Sequence, residues 1–363
     1  MGSEMCIRDS GNSVPTLLMQ TVGLESLDVN VASIAVAAAG GEFDTPATCH
    51  DALFLSTSAV DTGGGNDFEG AVCIHGANSI RTGGGDYFNE LVRFTAENES
   101  NVTLNSYSPQ TLQPRDLIAE RTLEPTLLPH LSQMRDSIWN ELWISEDDDP
   151  SLWERPQGSH IDVGSYELLA AEYNGILPEF VFDSSGRARV EMRDSFWTVQ
   201  PGELQEHTIY LSGQSMQFAG GVDIENAAFV SQGNIGTGGG PGLKFDDTYF
   251  IGTDLNFSGS TTWGDPTDPC DVDYGIYAFG TSSLSLGGWF SGSTVSGMVG
   301  AAPRFSPGGG MTGTGVYFET DSFLSMGGNY DLFGCDDPRE SDFELSDPAV
   351  EGDPVLTSSL LYR

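Results

Sequence analysis

GIYAFGTSSLSLGG (275–288) and GVYFETDSFLSMGG (315–328) share seven of fourteen residues at an offset of 40. Runs of the same texture, a short apolar-aromatic stretch followed by Ser, Thr and Gly, stand at HTIYLSGQSM (207–216), AAFVSQGNIG (227–236) and DTYFIGTDLNFSG (247–259). Anchored on Tyr210, Phe229, Phe250, Tyr277 and Tyr317, the steps are 19, 21, 27 and 40 residues. The 40 divides into two units with TVSGMVG (294–300) between them, and the 27 is one unit enlarged by TTWGDPTDPCDVD (261–273). A period of about 20 residues with one or two short strands per unit marks a stacked solenoid. One unit cannot bury its own apolar side chains, whereas a stack buries them as a continuous ladder. Glycine turns the corners between strands because it reaches positive φ without a Cβ clash. A β-sandwich with evenly spaced strands is the competing reading.

Outward from the repeats, the texture changes near residue 205 and again after Cys335, where an acidic tail (336–363) follows. Residues 146–204 read as a connecting region. Residues 11–145 read as a small α+β region, with strand alternation at Leu27, Val29, Val31, Ile34 and Val36 and turn signals at the triple glycines 63–65 and 83–85. Between Pro129 and Trp143, Leu131, Met134, Ile138 and Leu142 form one stripe of an amphipathic helix whose expected use is core packing. The fold expected is mainly β, with that α+β part and a C-terminal right-handed parallel β-helix of about six coils. The first ten residues, MGSEMCIRDS, read as adapter-derived sequence that displaces the natural N-terminus.

The 363 residues carry 53 acidic and 14 basic side chains, a formal charge of −39, with Lys244 the single lysine. A field of that sign repels phosphate backbones and anionic lipid headgroups, so nucleic acid is excluded as a partner. Setting Cys6 aside, Cys49 and Cys73 fall in one half and Cys270 and Cys335 in the other. None forms a metal-binding C-x-x-C, and one pair per half suggests two disulfides in an oxidising compartment, with free thiols as the alternative.

Parallel β-helices often carry polysaccharide lyases and hydrolases, so catalysis must be weighed. Between Thr208 and Cys335 there is no His, and Lys244 and Arg304 are the only cations. A lyase needs a base and cations to hold an acidic sugar. A glycosidase could use carboxylates alone, with Asp246, Asp247 and Asp254 as candidates. Asp265, Asp268, Asp271 and Asp273 around Cys270 are candidates for a weak Ca²⁺ site, against the plainer reading of solvated acids on an insertion. The five histidines, His50, His75, His130, His160 and His207, are scattered and read as structural, and no other cofactor is expected.

Three segments resemble the TadE/TadG-like proteins of the Tad (tight adherence, Flp) pilus assembly system, in their long form with Gly-rich C-terminal repeats. VPTLLMQTVGLESLDVNVASIAV (14–36) is similar to the stretch after that family's pilin-like helix. CIHGANSIRTGGGDYFNELVRFTA (73–96) is similar to its Cys-x-x-Gly segment, and residues 207–335 to its repeats. The family's hydrophobic N-terminal helix is absent here, and DSSGR (183–187) departs from the D-x-S-x-S metal motif of one branch. The resemblance implies a pilin-like 11–145 and a non-enzymatic structural or assembly component of the pilus that supports adhesion. It would sit in the periplasm or at the cell surface, anchored in the inner membrane through a missing N-terminal helix, with other pilus or envelope proteins as partners. A secreted β-helix adhesin or carbohydrate-binding protein is the alternative, and a carboxylate glycosidase ranks third.

Overall fold

A computed structural model describes residues 52–89, 91–105, 117–120, 122–143, 163–169, 177–267, 270, 274–286, 293–308 and 310–335. The strand-like alternation at 27–36, Cys49, the acidic run 146–149 and the tail 336–363 lie outside the described residues.

The strands stack in parallel into a β-solenoid with three sides. The first side is a ladder of eleven rungs. It runs Arg187–Arg193, Thr208–Ser212, the second half of Asp223–Ser231, the middle of Leu243–Phe257 and the start of Ile276–Leu286. It continues through Met298–Ala301, Tyr317–Thr320, Ala52–Ser56, Val72–Gly76, Arg93–Ala96 and Ile118–Glu120. Six of these rungs fall within 205–335, as the repeats predict. One precedes them, at Arg187–Arg193, inside the stretch read as connecting region. Four come from residues 52–120, which the sequence reading assigned to a separate α+β region. The N-terminal coils therefore stack on the end of the C-terminal coils, and Ala52–Ser56 pairs directly with Tyr317–Thr320.

Strand alternation explains why each rung faces as it does. Inward, Tyr210, Phe229 and Phe250 stack with ring centroids 5.3 and 5.1 Å apart and planes within 12° of parallel. Phe218, Phe245 and Trp263 pack edge-on or tilted against this column. The next anchor differs by one residue: Phe250 pairs with Ala278, and Tyr277 pairs with Tyr249. Tyr277 belongs to the outward set, so an anchor chosen by aromatic type alone slipped a register in which every second residue changes face. The offset of 40 holds, because Tyr277 pairs with Val299 and Val299 with Tyr317.

The outward side of the first ladder is apolar as well. Ile209, Leu211, Ala228, Val230, Tyr249, Ile251, Val299 and Ala301 are buried there beneath Leu127, Leu177, Val181 and the helix Leu131–Leu142. The helix buries Leu131, Met134, Ile138 and Leu142, the stripe expected from its spacing. A sheet covered on both faces must read as a continuous apolar run, which is why IYL, AAFV and YFI are not strictly alternating. Arg135 pins the helix to the corner by donating to the Thr253 and Thr281 hydroxyls at 3.1 and 3.2 Å. At the far end, Val163–Leu169 pairs antiparallel with Arg187–Arg193.

Candidate functional site

The second side of the solenoid is built from Trp197–Val199, Met216–Phe218, Ile235–Thr237, the ends of Leu243–Phe257 and Ile276–Leu286, and Arg304–Ser306. A four-stranded sheet, Leu324–Ser325, Ala59–Asp61, Ser79–Arg81 and Val102–Thr103, carries it on through the N-terminal coils. Trp197, Met216, Ile235, Leu255, Leu284, Phe305, Leu324, Val60 and Ile80 point inward and are buried. Between them, Thr198, Gln217, Asn256, Ser306, Ser325, Arg81 and Thr103 are exposed, with Gly236, Ser285 and Asp61 partly so. At roughly 4.8 Å per rung, ten such positions make a flat polar row on the order of 40 Å long. Phe196 and Phe323, each 54% exposed, flank this row just before Trp197 and Leu324. With Tyr87 they are the only exposed large hydrophobic residues among those described.

The candidate carboxylates do not gather on this side. Asp246 opposes Glu225 on one flank of the first ladder, and Asp254 opposes Ser283 on the other. Thr248–Gly252 lies between them as a rung of that ladder, on the order of 15 Å of extended chain. A glycosidase needs its pair within about 5–10 Å. Asp254 accepts from the Ser283 hydroxyl at 2.6 Å. Burial, with Asp265 nearby, raises the Asp246 pKa. Asp247 sits at a corner with φ of 41° and adjoins Asp246. Its corner column also includes His207 at 52° and Asn226 at 54°. Asn and Asp tolerate this left-handed region better than other side chains.

Of the Ca²⁺ candidates, Asp265 binds the backbone N–H and hydroxyl of Thr267, each at 2.7 Å, closing its own turn. Asp268, Asp271 and Asp273 lie outside the described residues, and no group of three metal-binding side chains occurs among the described ones. Cys270 and Cys335 form a disulfide with Cα atoms 5.7 Å apart. Cys73 is disulfide-bonded too, while its expected partner Cys49 lies outside the described residues. His75 is buried, with Nδ1 3.0 Å from the Thr95 hydroxyl, and His130 ends a 3₁₀ turn at the N-cap position of the helix. Lys244 pairs at the surface with Asp223 at 3.3 Å, and Arg304 donates to the Ser282 hydroxyl.

Two buried polar groups escaped the sequence reading. Asp86 is 1% exposed and accepts from the Thr62 hydroxyl at 2.6 Å, from the Asn66 backbone and side-chain N–H groups, and from the Gly83 N–H. A signal for it existed, since TGGGNDF (62–68) repeats as TGGGDYF (82–88) at an offset of 20. Glu319 is equally buried, accepting from the backbone N–H groups of Thr126, Leu127 and Leu128 at 2.9, 2.8 and 3.2 Å and from the hydroxyls of Thr126 and Tyr317. Burial beside this carboxylate pushes the Tyr317 hydroxyl far up. Nothing in the sequence ties Glu319 to residues some 190 positions away. Among the described residues, no helix is long and apolar enough to cross a membrane. Compared with protein-family models, curated proteins and solved structures, the chain finds no match.

Proposed function

We propose that this chain is an exported, non-enzymatic structural component of a bacterial cell envelope that supports adhesion, of the kind a Tad-type pilus assembly would carry. The observation behind this reading is the open polar row on the second side, on the order of 40 Å long. It is held on a body whose first side is sealed by the helix and its flanking segments. A rigid repetitive face suits repeated weak contacts, each feeble and together strong. The disulfide between Cys270 and Cys335 fits an oxidising compartment outside the cytosol. The test is to label the protein on intact cells of a host carrying the gene, and to delete the gene. Surface labelling with loss of attachment is the expected result; label confined to the cytosol would overturn the reading.

A second reading, a secreted carbohydrate-binding adhesin, is favoured by Phe196 and Phe323 beside that row. Exposed rings next to hydroxyl and amide groups suit the mixed apolar and polar faces of a sugar. The charge of −39 directs that reading to neutral glycans. Retention on insoluble neutral polysaccharide, lost in Phe196→Ala/Phe323→Ala, would select it.

A further inference from the structure

The solenoid contains one seam at which neighbouring rungs are not consecutive in the chain. Elsewhere along the first ladder, paired residues are separated by roughly one coil, as with Ile209 and Ala228 or Ile74 and Phe94. At the seam, Ser56 pairs with Thr320, Asp61 with Ser325 and Asp67 with Asp331. Each side has its own internal ladders and its own buried aromatics, Phe68, Phe88 and Phe94 on one side and Phe305 and Phe318 on the other. The contacts across it are those of an ordinary rung. Phe54 packs on Phe318 at 5.3 Å, Asn66 Oδ1 accepts from the Tyr330 N–H at 3.1 Å, and the Ser56 hydroxyl donates to the Ser322 carbonyl at 2.7 Å. The disulfide Cys270–Cys335 joins two residues on the same side and does not span it. Asp67 and Asp331 oppose each other there, with Glu69 two residues on, so like charges weaken the join.

We infer that this seam is an exchange surface, at which the N-terminal coils (52–120) of one copy dock onto the C-terminal coil of a second copy. If the seam opens, Tyr317–Thr320, Leu324–Ser325 and Asp331–Phe333 become a bare parallel edge. Such an edge is a template for any strand set of matching register. The matching set is Ala52–Ser56, Ala59–Asp61 and Asp67–Glu69, which every copy carries. The two edges are complementary to each other and not to themselves, so exchange is head-to-tail. The helix Leu131–Leu142 stays packed on the first side of its own copy, so the hinge is the short stretch between Glu120 and that helix. Glu319 sets how often the seam opens, because it holds Thr126, Leu127 and Leu128, directly behind the N-terminal coils, to the C-terminal coil. The inference stands apart from the functional reading above.

The test uses the full chain in a Cys6→Ser background. One sample carries Asp61→Cys and another Ser325→Cys, positions that are neighbours only across the seam. The two samples are mixed at high concentration and treated with a short bis-maleimide. The expected result is a covalent dimer in the mixture, absent from either sample alone and several-fold more abundant when both carry Glu319→Gln. Thr126→Ala, which removes one hydroxyl from the same carboxylate, serves if Glu319→Gln does not fold. The doubly substituted Asp61→Cys/Ser325→Cys chain should link within itself at low concentration. Self-linking of that chain combined with a mixture that stays monomeric in every variant would overturn the inference. Dimers within either single sample would overturn the head-to-tail geometry.

Discussion

Asp67 is where a single side chain tells most about the balance of this fold. Burial raises its pKa, and Glu69 and Asp331 raise it further. A carboxyl whose folded pKa lies above its unfolded value binds protons more readily in the folded state. Its ionisation therefore costs stability at neutral pH, and the cost disappears as pH falls through the raised value. Asp67→Asn should increase the melting temperature at pH 7, with the gain shrinking to nothing in acid below the ordinary carboxylate range. Thermal melts across pH check this, and a gain independent of pH would show that charge is not the cause. Asn226 and Asp247 illustrate what a residue type announces by itself, since both stand at left-handed corners that those types favour. His207 occupies the same corner column with no comparable signal, because histidine at a corner is set by its neighbours' pairing.

Among the elements, the helix Leu131–Leu142 was fully legible. Its stripe at 131, 134, 138 and 142 is the set that is buried, since side chains three and four apart share a helix face. Ile138 is 0% exposed, and Ile138→Ala should cost about 2–4 kcal/mol in urea denaturation. Gln133→Ala on the open face should stay within about 0.5 kcal/mol. Equal effects would mean that the helix does not seal the first side. The rungs were legible in kind and less so in register. Tyr277 looked like the successor of Phe250, but Thr261–Trp263 is a regular strand of the stack and the chain re-enters the first ladder one residue off, with Ala278 inward beside Phe250. Aromatic identity does not report which face a residue takes when both faces are buried. The short strands of the N-terminal coils were read only as turns, although their triple glycines mark the same corner one coil apart.

At the scale of the molecule, the disulfide and the seam govern how the coils hold together. Cys270 projects from the enlarged unit and reaches Cys335 near the end of the C-terminal coil, closing a loop of 65 residues. Loop entropy assigns such a closure about 4 kcal/mol. Cys270→Ser/Cys335→Ser should lower the unfolding free energy by up to that amount, read by denaturation of both forms under non-reducing conditions. An unchanged midpoint would mean that coil stacking alone fixes the insertion. The polar row on the second side is also a property of this scale. Thr198, Gln217 and Asn256 are unremarkable singly, and only the stack aligns them.

The amino-acid sequence alone determined the repeating unit, its glycine corners and the helix stripe, and it suggested the pairing of Cys270 with Cys335 with free thiols as the alternative. Those features are local, or periodic, and a period survives in one dimension. Only the tertiary structure decided that residues 52–120 are coils of the same solenoid, that Ser56 pairs with Thr320, and that Glu319 binds the backbone of Thr126, Leu127 and Leu128. These rest on contacts between residues hundreds of positions apart. Backbone pairing makes them, and a strand edge accepts any partner of suitable register without leaving a mark in either sequence.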